Sequence, residues 1–106
     1  MGRKVYNKLV RDRIPDIIRA DGKKLKSRVL SDEEHLEALL TKVEEELKEL
    51  REAKNAEELA DLHEVLLAIG DVLGISREEL EKVRANKVAK RGGFQQKIFL
   101  EEVEEN

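Results

Sequence analysis

The sequence predicts an all-α helical bundle, and three observations carry that expectation. Lys, Arg, Asp and Glu make up 42% of the chain and aromatics only 3%. Large side chains to fill a sandwich or barrel interior are therefore scarce, and helices sharing narrow apolar stripes fit better. Three segments open on a cap residue followed three positions later by Glu, and each continues in an apolar repeat of helical period. Glycine closes two of them, at Gly74 and Gly92.

Taken in order, residues Lys4 to Arg13 mix basic and apolar side chains without a clear period. Pro15 restricts Ile14 to an extended backbone and suits the first turn of a short helix over Asp16 to Ala20, which Asp21-Gly22 ends as a turn. Lys26 to Leu30 and Gln96 to Leu100 read as short strands, pairing as a small two-stranded ribbon (26–30 with 96–100). Ser31 with Glu34 opens a long helix to about Lys54; Asn55 opens the next, ending at Leu73-Gly74; Ser76 with Glu79 opens a third, reaching Arg91 before Gly92-Gly93. Glu101 to Asn106 is an acidic tail expected to fray. No linker or repeat divides the chain, so 1–106 is expected to form a single domain.

Composition excludes several function classes. A net charge of −3 offers no basic surplus to neutralise phosphates along a nucleic acid polymer. The absence of cysteine removes disulfide frameworks and thiolate metal sites. No apolar run approaches membrane-spanning length, and Met1-Gly2-Arg3-Lys4 leads into no signal-type segment, so a cytoplasmic protein is expected, with no membrane partner.

The chain is organised around Glu45-Glu46-Leu47-Lys48-Glu49 and Glu58-Leu59-Ala60-Asp61. Acids three apart on a helix fall near one side and can converge with those of a neighbour. Against the apolar stripe of the first long helix, Glu46 lies on the border and Glu49 further round. In the second, Glu58 falls inside the stripe and Asp61 at its edge. A core-facing carboxylate costs several kcal/mol, by estimates for buried ions, unless a partner compensates, and Mg²⁺ is one such partner. The same residues admit a plainer reading, in which Asn55 and Glu58 close a capping box and Lys42, Lys48 and Lys54 pair with the acids.

In the third long helix Arg84, Lys87 and Arg91 share the face of Leu80 at helical spacing. Their stems can simply cover apolar surface. Cations facing acids and a metal would instead make a polyphosphate site. His35 and His63 are isolated and read as surface or interface residues, and no glycine-rich phosphate loop occurs.

Asn7-Lys8-Leu9-Val10-Arg11-Asp12-Arg13-Ile14-Pro15, Glu45-Glu46-x-x-Glu49, Glu58-Leu59-Ala60-Asp61 and Lys90-Arg91-Gly92-Gly93-Phe94 together resemble the MazG-like all-α nucleoside triphosphate pyrophosphohydrolases. The resemblance is closest to their phosphoribosyl-ATP pyrophosphohydrolase-like branch. It covers nearly the whole chain. It implies a homodimer or homotetramer that hydrolyses a nucleotide between its α and β phosphates, releasing monophosphate and pyrophosphate, with Mg²⁺ (or Mn²⁺) as cofactor. Carried over by residue, Glu46, Glu49, Glu58 and Asp61 match metal ligands. Glu45 matches a holder of the attacking water, with Glu49 the other candidate for that catalytic role, and Lys87 and Arg91 match phosphate-binding positions, alongside Arg84. Only eight residues separate Glu49 from Glu58, fewer than in many family members, which leaves Glu64 as a further candidate ligand. A non-catalytic helical adaptor or a nucleotide-binding regulator is the alternative from another class.

Overall fold

The computed structural model describes residues 2–105, and it is all-helical. Its elements are α1 (Ile14–Ala20), α2 (Asp32–Ala53), α3 (Ala56–Val72) and α4 (Arg77–Arg91). Two compact units are distinguished, Met1–Ile75 and Ser76–Asn106. No helix among the described residues is long and apolar enough to cross a membrane.

The first unit is built on a helical hairpin in which α2 packs against α3. Ser31 starts α2 with a full capping box: its Oγ accepts from the Glu34 N–H at 3.3 Å, and Glu34 Oε1 accepts from the Ser31 N–H at 3.1 Å. These bonds satisfy two donors that the first helical turn leaves without partners. Arg28 reinforces the cap through a two-pronged contact with the Glu34 carboxylate, at 2.9 and 3.3 Å. Only Lys54 and Asn55 separate the two helices, a connection that turns the chain back as an antiparallel pair. Asn55 then caps α3 by accepting from the Glu58 N–H at 3.0 Å. At the far end Ile75 N–H reaches Gly70 O at 2.9 Å and Gly74 N–H reaches Asp71 O at 3.2 Å, with Gly74 at φ 73°. That is the Schellman arrangement, which needs a residue free to adopt positive φ.

Lys54 ends α2 in the left-handed conformation, φ 51° and ψ 46°. For a side chain with a Cβ this costs about 1–2 kcal/mol. Its ammonium donates to Arg51 O at 2.6 Å on an exposed surface. Lys54→Gly relieves the strain while loosening the unfolded chain, so a net gain of about 0.5–1 kcal/mol is expected. The corresponding rise in melting temperature is about 3–6 °C, read by calorimetry. A fall on that substitution would mean that the Lys54 ammonium contributes more than the strain removes.

Two expectations are corrected. Ile14 is helical, not extended: Pro15 occupies the first turn of α1, where a missing N–H has no partner to lose, and the Ile14 N–H is held by Arg11 O at 3.1 Å. The ribbon does not form, since Lys26–Leu30 and Gln96–Leu100 contain no strand residues. Val29 is 97% exposed and Phe99 86%, so these apolar side chains are left uncovered, and an isolated two-stranded pair is marginal in water.

The core between α2 and α3 is thin. Leu39 is its most enclosed apolar residue, and leucines at seven-residue spacing, Leu40 and Leu47 on α2 and Leu59 and Leu66 on α3 with Leu73 just past its end, stay substantially exposed. In the second unit every residue of α4 is exposed. Ser76 caps α4 by accepting from the Glu79 N–H at 3.0 Å, and Gly92, at φ 82°, ends it.

Candidate metal centre

Folding back at Lys54–Asn55 brings the end of α2 beside the start of α3, and the two acidic pairs meet. Glu46, Glu49, Glu58 and Asp61 each present a carboxylate oxygen, and these four atoms lie within 4.8 Å of one another. Glu64 is exposed and outside the group. Periodicity singled out Glu58 as the most inward acid, whereas Glu46 is the buried one, at 6% exposure. Glu58, in the first turn of α3, is half-buried.

The polar atoms of the cluster are not all matched. Lys42 Nζ lies 3.5 Å from Glu46 Oε1 and 3.1 Å from Glu45 Oε2, so part of the plainer pairing does occur. Glu46 Oε2 and Glu58 Oε2 are buried and have no hydrogen-bond partner. Asn55 caps the Glu58 backbone, but the Glu58 carboxylate turns into the cluster. Leaving an acceptor buried without a partner costs about 1–3 kcal/mol. Oxygen-rich and partly desolvated, this donor set could hold a hard cation.

Burial, and then the charge and hydrogen bonding of Glu49, push the Glu46 carboxyl above the usual carboxylate range, against the pull of Lys42; Asp61 adds to the rise. Burial is again the largest cause at Glu58, followed by Glu49, Asp61 and Glu46. Both groups thus bind protons more readily folded than unfolded. The metal-free protein is expected to gain stability as pH falls from neutral through these raised values, levelling off near the unfolded value of 4.5. Below that Glu34 works the other way: its hydrogen bond with Arg28 first, then its bonds with Ser31, hold it to about 2, so its contribution is lost between 4.5 and about 2. Thermal melts in chelator at pH 7 and pH 5 test this, and a lower melting temperature at pH 5 would contradict it.

The N-terminal segment contributes a residue to which the sequence reading assigned no role. Arg11 Nη2 donates to Asp61 Oδ1 at 2.6 Å, joining positions 50 apart. A pocket of about 350 Å³ adjoins the cluster, lined by Lys8, Glu45, Lys48, Glu49 and Glu52. Lys8 and Arg11 both fall in the motif Asn7–Pro15, and their basic character was the one local signal available; no periodicity links them to α3.

The cationic stripe belongs to the second unit. Lys87 and Arg91 are exposed there. Arg84 pairs within its own helix: its Nε donates to Glu81 Oε2 at 2.9 Å and its guanidinium pairs with Glu81 at i−3. The mutual contact raises the Arg84 pKa and lowers that of Glu81. Opposite charges three residues apart on an exposed helix face are neighbours and pair readily.

Among known proteins, an uncharacterized protein of Mycolicibacterium smegmatis (strain ATCC 700084 / mc(2)155) is 56% identical over 45 residues, 42% of this chain. The match spans 46% of that relative's length. No family model matches the chain. No solved structure matches it.

Proposed function

We propose that this chain is a metal-dependent nucleotide pyrophosphohydrolase of the MazG-like kind, acting in the cytoplasm on a nucleoside triphosphate or related nucleotide. One observation carries the reading: four carboxylates from two helices converge, with the buried Glu46 Oε2 lacking any partner. Glu46, Glu49, Glu58 and Asp61 would hold Mg²⁺ or Mn²⁺, which when bound supplies neutralisation of phosphate oxygens. Glu45, at the pocket beside Glu49, takes the proton of the attacking water as its oxygen bonds to the α phosphorus. The bond from that phosphorus to the α,β-bridging oxygen breaks, and pyrophosphate leaves with the bonding pair. The exposed leucines at seven-residue spacing on α2 and α3 support assembly into a homodimer or homotetramer, because a helical face of that period packs against another of its kind.

Phosphorus NMR of nucleotides incubated with the protein and Mg²⁺ tests the reaction. Monophosphate and pyrophosphate are expected to appear together, without diphosphate. Diphosphate with inorganic phosphate would refute the cleavage position, and no metal-dependent product would favour the adaptor or silent nucleotide binder. Light scattering at micromolar concentration is expected to give at least a dimer.

A further inference from the structure

We propose that Lys8 and Arg11 of the N-terminal segment form a phosphate-binding arm beside the acidic cluster. In this arm Arg11 neutralises Asp61 while the cluster is free of metal, and turns to phosphate once a cation takes its place. The proposal rests on the metal and polyphosphate reading above and adds the residues that grip the ligand within the first unit.

Four observations place the arm. Arg11 touches Asp61 at 2.6 Å, so a guanidinium already stands at the rim of the carboxylate group. That side chain is still 59% exposed, which leaves most of its donors open toward solvent. Lys8 lines the pocket that Glu49 shares with Glu45 and Lys48, so cations and metal-site acids border one cavity. The segment has a defined course: the chain turns at Asn7, φ 44°, a residue type that tolerates that region, and Lys8 Nζ sits 5.6 Å from the Tyr6 ring centroid.

The chemistry follows from charge. Without a bound cation, four carboxylates meet with Glu46 Oε2 and Glu58 Oε2 unpartnered, while Arg11 rests on Asp61 and Lys42 on Glu46. A divalent ion held by the four acids would make that role redundant and would compete with Arg11 for the Asp61 carboxylate. The guanidinium would then be free to bind an anion at the pocket, and its planar fork suits phosphate oxygens. Lys8 supplies a second, mobile point charge at the pocket wall. The expected ligand class is a di- or triphosphate, long enough to touch both cluster and arm.

Calorimetric titration of the whole chain with Mn²⁺ alone, then with inorganic pyrophosphate at saturating Mg²⁺, tests the proposal. Arg11→Gln is expected to bind Mn²⁺ at least as tightly as wild type, by up to about 10-fold tighter through loss of the competing cation. The same variant should bind pyrophosphate about 10- to 100-fold more weakly, the range for a lost charged hydrogen bond. Lys8→Gln should leave Mn²⁺ affinity unchanged and weaken pyrophosphate by about 3- to 10-fold. Arg11→Lys keeps the charge and is expected to retain most of the pyrophosphate affinity, and Arg19→Gln, which removes an exposed charge on α1, should change neither. Arg11→Gln with wild-type affinity for pyrophosphate, or with weaker Mn²⁺ binding, would reduce Arg11 to a structural strap on Asp61 and overturn the arm while leaving the metal reading intact. A wild-type protein that binds no Mn²⁺ would overturn both.

Discussion

Mg²⁺ or Mn²⁺ at about 100 times its dissociation constant is expected to raise the melting temperature by roughly 10–20 °C. A ligand bound by the folded state alone stabilises it by about 2.7 kcal/mol at that ratio, and each kcal/mol moves a domain of this size by about 4–8 °C. The unfolded chain cannot compete, because Glu46 and Glu49 meet Glu58 and Asp61 only when α2 and α3 are folded together. Glu46→Gln separates the effect from general ion stabilisation. It removes the charge that burial and Glu49 disfavour most, while Lys42 keeps its closer partner Glu45 at 3.1 Å. The variant is therefore expected to melt no lower than wild type in chelator, yet to lose most of the metal-induced rise. Scanning calorimetry with and without chelator reads both quantities. Equal metal shifts in the two proteins would place the ion somewhere other than this cluster.

Glu45→Gln is expected to lower turnover by about 10²–10⁴-fold, the usual contribution of a general base, while leaving the metal-induced rise in melting temperature in place. Glu45 lies outside the four-acid group but borders the pocket beside Glu49, and Lys42 steadies its carboxylate. Glutamine keeps the shape and loses the ability to take a proton, so binding and chemistry separate. A fall of less than about 3-fold in single-turnover rate would pass the role to Glu49. Loss of the metal shift as well would make Glu45 a ligand in its own right, since a base acting on water has no part in holding the ion.

The sequence by itself determined the helices. Ser31, Asn55 and Ser76 each satisfy a donor of the first turn of α2, α3 and α4, and Gly74 and Gly92 supply positive φ at two ends. Caps and period act within a few residues, so they are legible without knowing the fold. The convergence of Glu46 and Glu49 with Glu58 and Asp61 was legible for a related reason: each pair shares a helix face, and a two-residue connection leaves a hairpin little freedom in how the faces meet. The ribbon does not form because a mixture of basic and apolar residues in a short segment says nothing of whether a surface exists to cover it, and Val29 and Phe99 are left almost fully exposed. Which acid is deepest, Glu46 and not Glu58, was decided only by tertiary structure, because burial depends on what lies across the helix pair as well as on the angle around one helix. The contact between Arg11 and Asp61 had to wait for the fold for the same reason: 50 residues apart, they share no period, and only the path of the chain places one beside the other.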